Sequence, residues 1–441
     1  MSPWQGRAAS TPDNGRQELL LSGTDWTIAS FSAGDGIKQR AFAEGYPIDK
    51  SYAATVPGDI HWDLERAGKI PPIYFGRNSR EIAWVTGREW WYRKSFRIPP
   101  DWKNKRVRLH FDAVDYSTEV WLNGQPLGRH EGQFTPFEFE VSGALRCGED
   151  NTLAVLIHAA PAEVQKTIAS GAGEWAVMQA LRKAYPRWKC QTNAGWDWGA
   201  KIITMGIWQD VRLIATDGAY LSDLIVQPRL SPPYDKALLY TKVNLDSPVK
   251  AKVSLEYSVR CLTADDPPTV VTQSLDVTAT NQVVPFRFIL PNPRLWWPNG
   301  YGPQHRYELA VTVRAADGKA ALDHATVAFG VRDLQMLQNP EALDSVEYID
   351  YTTDAAVAHQ LPQPPPERRY LIQINGRRIF GRGGNWIPCD LLYGRPRRDF
   401  YEHRIRSAAL AHFNLFRVWG GGLIDKPVFF DLCDRSGTMP F

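Results

Sequence analysis

One short segment of the chain places a carboxylate between two indole rings. Gly195, Trp196, Asp197, Trp198 and Gly199 follow one another directly. A carboxylate in this setting can accept hydrogen bonds from two hydroxyls, while an indole face packs on the apolar face of a sugar ring. This combination of groups suits carbohydrate binding. The alternative is a Trp-rich turn between domains, in which Asp197 caps a backbone turn.

Three further polar and aromatic side chains lie where predicted strands end. Asn385 and Trp386 follow one short strand, and Arg417 lies at the end of the next. Each strand leads into a helix, which is typical of parallel α/β structure. We therefore expect these side chains at the C-terminal ends of the strands, where barrel proteins place their active sites.

Most of the elements that carry these segments are predicted strands. Residues 18–218 alternate apolar and polar side chains in short runs, and Asn123-Gly124 indicates a tight hairpin. Residues 219–331 continue this alternation over about seven short strands, as in immunoglobulin-like domains. Both regions predict antiparallel β-sandwiches, so the expected fold class is mostly β.

The last part of the chain has a different pattern. Residues 332–370 are rich in proline and predict a semi-extended linker. Residues 371–441 predict a strand, a helix, a second strand and a second helix in that order, which is the beginning of a parallel α/β arrangement. We expect Asp399 to cap the first helix and Gly437 to end the second.

Four motifs, in this order, resemble those of glycoside hydrolase family 2, and most closely those of its β-mannosidase branch. They are Gly195–Gly199, Arg294–Gly300, Gly384–Pro388 and Asn414–Gly422. The resemblance implies a jelly-roll sugar-binding domain, then an immunoglobulin-like sandwich, then a (β/α)₈ barrel. Only the first two β/α units of that barrel would lie in this chain.

The resemblance also implies roles for four residues. Trp196 and Asp197 belong to a loop that reaches over the barrel mouth and contacts the terminal sugar. Trp386 forms a wall of the sugar pocket. Arg417 lies near the nucleophile and helps to hold it ionised, because a nearby cation lowers a carboxylate's pKa. Packing against the second domain is the alternative for Trp386, and a salt bridge at the barrel mouth is the alternative for Arg417.

A retaining glycosidase uses two carboxylic acids roughly 5–5.5 Å apart, one as nucleophile and one as general acid/base. In family 2 both are Glu, on the fourth and seventh barrel strands. Residues 371–441 contain one Glu, Glu402, on the first predicted helix. We therefore expect no catalytic residue in this chain and no hydrolysis by the chain alone. Its short ending after Gly437 suggests a truncated product, a frameshift or one piece of a split enzyme.

Charge and cysteine content limit the kinds of partner and cofactor that the sequence predicts. The chain has 51 Lys and Arg against 48 Asp and Glu, a net charge of +3, without long basic runs. This predicts neither a nucleic-acid nor a membrane partner. Five scattered cysteines predict no disulfide framework, and the sequence implies no metal and no organic cofactor. The polar N-terminus lacks the apolar core of a signal peptide, which predicts a cytoplasmic protein.

The predicted function is that of the N-terminal portion of a retaining exo-glycosidase that hydrolyses terminal β-mannose. Its expected partners are a carbohydrate substrate and a separately encoded C-terminal barrel half. Another family 2 specificity, such as β-galactosidase or exo-β-glucosaminidase, stays open. A non-catalytic carbohydrate-binding protein and a non-functional remnant stay open as well. The 17 Trp, 17 Tyr and 18 Phe fit sugar binding, but also the cores of β-sandwiches.

Overall fold

The computed structural model describes residues 15–47, 51–192, 195–196, 199–278, 281–338 and 370–441. Two antiparallel β-sandwiches are followed by a small α/β segment. The mostly β fold class expected from the sequence is confirmed. In the described residues the parallel strands of the last segment do not close into a barrel.

The first sandwich packs a four-stranded sheet, in the order β1-β10-β5-β8, against a six-stranded sheet, in the order β3-β2-β4-β9-β6-β7. Asn123 and Gly124, with φ of 52° and 76°, close the hairpin between β6 and β7 as expected. Alternating side chains such as Leu109 and Phe111 fill the core between the sheets. The strands are β1 (Arg16–Leu20), β2 (Gly23–Phe31), β3 (Tyr52–Val56), β4 (Glu89–Arg97), β5 (Arg106–Phe111), β6 (Ser117–Leu122), β7 (Gln125–Glu131), β8 (Phe137–Glu140), β9 (Asp150–Ile157) and β10 (Val211–Thr216).

Short helices occupy the connections of the first sandwich. The two longest lie between β9 and β10 and bury Val164 and Leu181 against each other's side chains. A long irregular segment, which contains Trp196, then leads to β10. The helices are α1 (Asp35–Lys38), α2 (Ile60–Arg66), α3 (Asn78–Glu81), α4 (Ala162–Ala169) and α5 (Glu174–Ala184), with 3₁₀ turns at Ala83–Gly87 and Pro100–Asn104.

The second sandwich pairs a three-stranded sheet, in the order β11-β12-β15, with a four-stranded sheet, in the order β14-β13-β16-β17. The predicted alternation is visible in β13, where Leu255 and Tyr257 are buried and Tyr257 pairs with Val311 of β16. The strands are β11 (Tyr220–Leu230), β12 (Lys236–Asp246), β13 (Ala251–Cys261), β14 (Thr269–Val277), β15 (Gln282–Pro291), β16 (Tyr307–Ala315) and β17 (Ala321–Phe329).

The region predicted to be a linker is partly a strand. β18 (Leu334–Gln338) pairs with β19 (Tyr370–Ile374), which pairs in turn with β20 (Arg377–Ile379). The expectation for residues 332–370 was therefore wrong for 334–338, because alternating side chains there complete an antiparallel sheet. The proline-rich residues 339–369 lie outside the described part of the chain.

The α/β segment has three parallel strands, in the order β21-β22-β23, and two helices. Asp399 does not cap the first helix: Arg397 is the N-cap residue, and Asp399 lies in the first turn, where a carboxylate complements the helix dipole. Gly437, with φ of 75°, ends the second helix as expected. The elements are β21 (Gly383–Trp386), α6 (Arg398–Leu410), β22 (Leu415–Val418), α7 (Pro427–Ser436) and β23 (Met439–Pro440).

The α/β segment packs on both sandwiches. Trp296 of the second sandwich is 1% exposed and donates its indole N–H to the carbonyl oxygen of Asp434 over 2.8 Å. Leu392 is buried in the core of the first sandwich. Among the described helices, none combines the length and the apolar composition needed to cross a membrane.

Candidate active-site edge

The C-terminal ends of β21 and β22 lie side by side, and with the loops that follow them they form the candidate edge. Asn385 pairs with Arg417, and Trp386 pairs with Val418, in parallel register. The exposed guanidinium of Arg417 donates to the Asn385 side-chain oxygen over 3.2 Å. The structure therefore brings together the two strand ends that the sequence singled out, and Arg417 faces solvent with an amide as its partner. Its predicted role beside a nucleophile stays a prediction.

Trp386 lies mostly inside the α/β segment. Its side chain is 8% exposed, and its ring packs against Phe416 and Phe429 with centroid distances of 5.1 and 4.7 Å. These partners belong to β22 and α7, so the contacts do not support packing against the second domain. Only a small part of the indole is accessible to a ligand. A wall of a sugar pocket formed by Trp386 stays a prediction.

A buried carboxylate, that of Asp425, fixes this indole. The two Asp425 oxygens accept from the Trp386 indole N–H over 2.6 Å and from the Tyr401 hydroxyl over 2.8 Å. Burial raises the pKa of Asp425, while the two hydrogen bonds act in the opposite direction. The available sequence signal was an acidic residue placed between a glycine-rich loop and Pro427.

Trp196 brings the first domain to the same edge. Its half-buried ring meets Trp419 edge to face, with centroids 4.7 Å apart and planes at 73°. Trp419 follows β22 directly, and its backbone N–H donates to the carbonyl oxygen of Trp386 over 2.9 Å. The segment containing Trp196 therefore contacts the loop that begins at the end of β22. Asp197 and Trp198 lie outside the described residues, so the predicted sugar contact of Asp197 stays a prediction.

A buried ion pair stabilises the base of this segment. Lys189 pairs with Asp115, and the ammonium also donates to the carbonyl oxygen of Thr204 over 3.0 Å. Asp115 accepts from the Thr204 hydroxyl over 2.7 Å and from the Gln133 amide over 3.2 Å. Burial raises the pKa of Asp115 and Lys189 lowers it. Burying two charges costs free energy unless their other hydrogen-bonding atoms also have partners. Because Lys189 and Asp115 both bond to Thr204, the network holds residues 189 and 204 beside each other.

Two more contacts join the first domain to the α/β segment. The Tyr393 hydroxyl donates to the Cys190 sulfur over 2.9 Å. The Tyr74 hydroxyl donates to Asp390 over 2.5 Å, and Arg395 donates to the other oxygen of Asp390 over 2.6 Å. Burial raises the pKa of Cys190, so this side chain is a structural thiol. No sequence pattern indicated the Tyr393–Cys190 and Tyr74–Asp390 pairs, because their members are 203 and 316 positions apart.

The groups at this edge can bind a ligand. They include the indole of Trp196, the exposed guanidinium of Arg417 and the amide of Asn385. Asp390 and Asp425, by contrast, are buried and hydrogen-bonded to protein groups. In the described ranges, no group of three or more His, Cys, Asp or Glu side chains is placed to hold a metal ion.

A separate cavity of about 120 Å³ lies in the first domain. Tyr116, Glu131, His158 and Tyr185 are among the residues that line it. Of the predicted site residues that the structure describes, Trp196, Trp386 and Arg417 are not among the lining residues, so this cavity is separate from the strand ends that carry Trp386 and Arg417.

Two family models match most of the chain. A glycosyl hydrolase 2 galactose-binding domain-like model matches residues 20–209. A glycosyl hydrolases family 2 model matches residues 219–332. These ranges coincide with the two sandwiches.

Individual relatives extend the likeness beyond the sandwiches. β-Mannosidase B of Thermothelomyces thermophilus is 28% identical over 390 residues, which are 87% of this chain and 41% of that protein. A crystal structure of a β-D-mannosidase from Dictyoglomus thermophilum is 26% identical with a TM-score of 0.72, covering 96% of this chain and 47% of that one. An exo-chitosanase from Amycolatopsis orientalis has a TM-score of 0.71 at 20% identity, covering 96% and 43%, which shows a common fold.

The chain spans less than half the length of these relatives. Its sandwiches match two models of one family, and the likeness to the β-D-mannosidase structure covers 96% of this chain. On this evidence the chain belongs to glycoside hydrolase family 2.

Proposed function

We propose that this chain is the N-terminal, sugar-binding portion of a retaining exo-glycosidase that acts on terminal β-mannose. The observation that carries the proposal is the contact between Trp196 of the first domain and Trp419 at the end of β22. This contact brings Trp196 beside the loop that follows the strand ends carrying Trp386 and Arg417. The ligand would lie against these groups, with Asp197 as an acceptor for sugar hydroxyls.

Mannose is the proposed sugar because relatives named β-mannosidase match most of the chain. The exo-chitosanase shares the fold at lower identity. It leaves exo-β-glucosaminidase as the second candidate, followed by β-galactosidase. The same surface would serve a carbohydrate-binding protein without catalysis.

The chain alone would bind but not hydrolyse. Residues 371–441 contain one Glu, Glu402, which forms an ion pair with Arg398 on the outer side of α6. Asp390 and Asp425 are engaged by protein donors, so neither is offered to an anomeric carbon. General acid/base assistance alone contributes about 10²–10⁴-fold to rate, and the covalent route needs a second carboxylate. A polypeptide that supplies both acids on further β/α units is the proposed partner.

Replacing Asp197 tests the sugar site. Asp197→Ala should weaken binding of methyl β-mannoside by roughly 1.5–3 kcal/mol, because sugar hydroxyls lose a charged acceptor. Calorimetric or NMR titration with the β-mannoside, β-galactoside and β-glucosaminide would measure both affinity and preference. Asp101→Ala, at an exposed position on a 3₁₀ turn of the first domain, is the matched control.

Equal affinities of the wild-type and Asp197→Ala chains would remove Asp197 from the site. Tighter binding of the β-glucosaminide or the β-galactoside would favour that specificity over mannose. A wild-type chain that binds none of the three sugars would contradict the proposal.

A further inference from the structure

An aromatic pair outside the candidate edge is accessible to solvent. Trp188 is 43% exposed, and its ring packs on Phe134 with centroids 5.3 Å apart and planes at 30°. Phe134 is itself half-buried and meets Trp208 edge to face at 5.9 Å. One face of this pair therefore rests on the protein, and much of the Trp188 indole remains available to a ligand.

Hydrogen bonds beneath the pair fix the segments that carry it. The Tyr116 hydroxyl donates to the carbonyl oxygen of Arg187 over 2.8 Å and accepts from the Arg187 N–H over 2.7 Å. Gln133 accepts from the Cys190 N–H over 2.8 Å. The position of Trp188 is thus determined before a ligand arrives, and a fixed surface loses less conformational entropy on binding than a mobile one.

Polar side chains lie on the segments that carry this pair and meet near Gly132. A methyl group added at Gly132 would lie 3.1 Å from the Thr135 hydroxyl, 3.4 Å from the Arg187 side chain and 3.6 Å from the His130 ring. Thr135 and Arg187 are exposed, and both can form hydrogen bonds with hydroxyls. An exposed aromatic face on segments that also carry Thr135, His130 and Arg187 suits a sugar ring, which has apolar faces and polar edges.

The aromatic pair is continuous with the candidate edge. Trp208 lies between Phe134 and Tyr393, and these residues form one cluster with Leu423. Leu423 is four residues after Trp419, which contacts Trp196. A buried cluster and four residues of chain therefore connect the support of the aromatic pair to the loop that contacts Trp196.

We infer that Trp188 and Phe134 form an outer carbohydrate subsite, which holds the sugar units next to the terminal sugar of a β-linked oligosaccharide. The inference rests on the proposed function, since the terminal sugar is placed at Trp196. The outer subsite would favour longer oligosaccharides, whereas the groups around Trp196 would select the terminal sugar.

Titrations with two sugars test the subsite. The full chain should bind β-1,4-mannotriose about tenfold more tightly than methyl β-mannoside, because the trisaccharide also contacts an aromatic surface. Trp188→Ala should reduce the affinity for mannotriose to that for the monosaccharide and leave the monosaccharide unchanged. Trp175→Ala is the control, since Trp175 is 63% exposed in the first turn of α5. Circular dichroism would establish that each variant is folded.

The outcomes separate this inference from the proposed function. Unchanged mannotriose affinity in Trp188→Ala, with normal monosaccharide binding, would overturn the outer subsite alone. Mannotriose binding that depends on Trp188, without any monosaccharide binding, would support the outer subsite and count against the terminal-sugar site. Absence of binding for both sugars would overturn both.

Discussion

At the scale of single residues, the candidate edge depends on side chains that support other side chains. Asp425 receives hydrogen bonds from Trp386 and Tyr401, and so determines where the Trp386 indole lies. Arg417 holds Asn385 at the neighbouring strand end. Buried Asp425 therefore positions Trp386, whereas the exposed guanidinium of Arg417 positions Asn385.

Removal of the Asp425 carboxylate should destabilise the α/β segment. Asp425→Ala leaves the Trp386 and Tyr401 donors without an acceptor, and each buried donor left unsatisfied costs about 1–3 kcal/mol. Chemical denaturation monitored by tryptophan fluorescence would measure the loss. Asp399→Ala is the control, because Asp399 is exposed in the first turn of α6. Equal losses in the two variants would show that Asp425 contributes no more than a surface carboxylate.

At the scale of elements, α2 and the segment before it connect the first sandwich to the α/β segment. Arg397 donates to the carbonyl oxygen of Pro57 over 2.9 Å. Within α2, Asp63 accepts from the Thr55 N–H over 3.1 Å, and its second oxygen has no hydrogen-bond partner in the described part of the chain. Burial raises the pKa of Asp63 to about 7, assisted by Asp59 and opposed by Arg66 and Arg397.

This shift predicts a pH-dependent stability with a definite sign. Between pH ~4 and ~7 the folded chain keeps a proton on Asp63 that the unfolded chain has released, so stability falls as pH rises through this range. A shift of about three pKa units corresponds to at most about 4 kcal/mol. The difference in free energy of unfolding between wild type and Asp63→Asn, measured from pH 4 to 8, should change in this direction and level off above pH 7. A difference independent of pH would show that Asp63 does not titrate as described.

Local sequence patterns predicted single turns and helix ends better than helix starts and long-range strand pairing. The Asn123-Gly124 hairpin and the Gly437 helix end follow from backbone preferences of those residues, and both were confirmed. Asp399 was assigned as a cap from its type alone, while the backbone begins the helix two residues earlier than that assignment needs. β18 was missed because its partner, β19, lies beyond the proline-rich residues, and pairing over such a separation leaves no local signal.

At the scale of the whole molecule, three units of the chain form or support the candidate edge. The first sandwich contributes Trp196, the α/β segment contributes the strand ends, and the second sandwich supports that segment through Trp296. The order of the four family motifs in the sequence predicted these three units, because the resemblance covered all of them. Contacts such as Tyr393 with Cys190 could not be predicted, since they depend on how the units pack.

The proposed function requires that this chain binds a terminal β-mannoside and does not hydrolyse it. Saturation-transfer NMR on nitrophenyl β-mannoside, recorded over time with the purified chain, reports binding and cleavage in one sample. We expect saturation transfer from protein to the sugar protons and no release of mannose above the rate in buffer. Release of mannose by the chain alone would reveal a catalytic pair of acids and contradict the proposed function, and the absence of saturation transfer would contradict the sugar site itself.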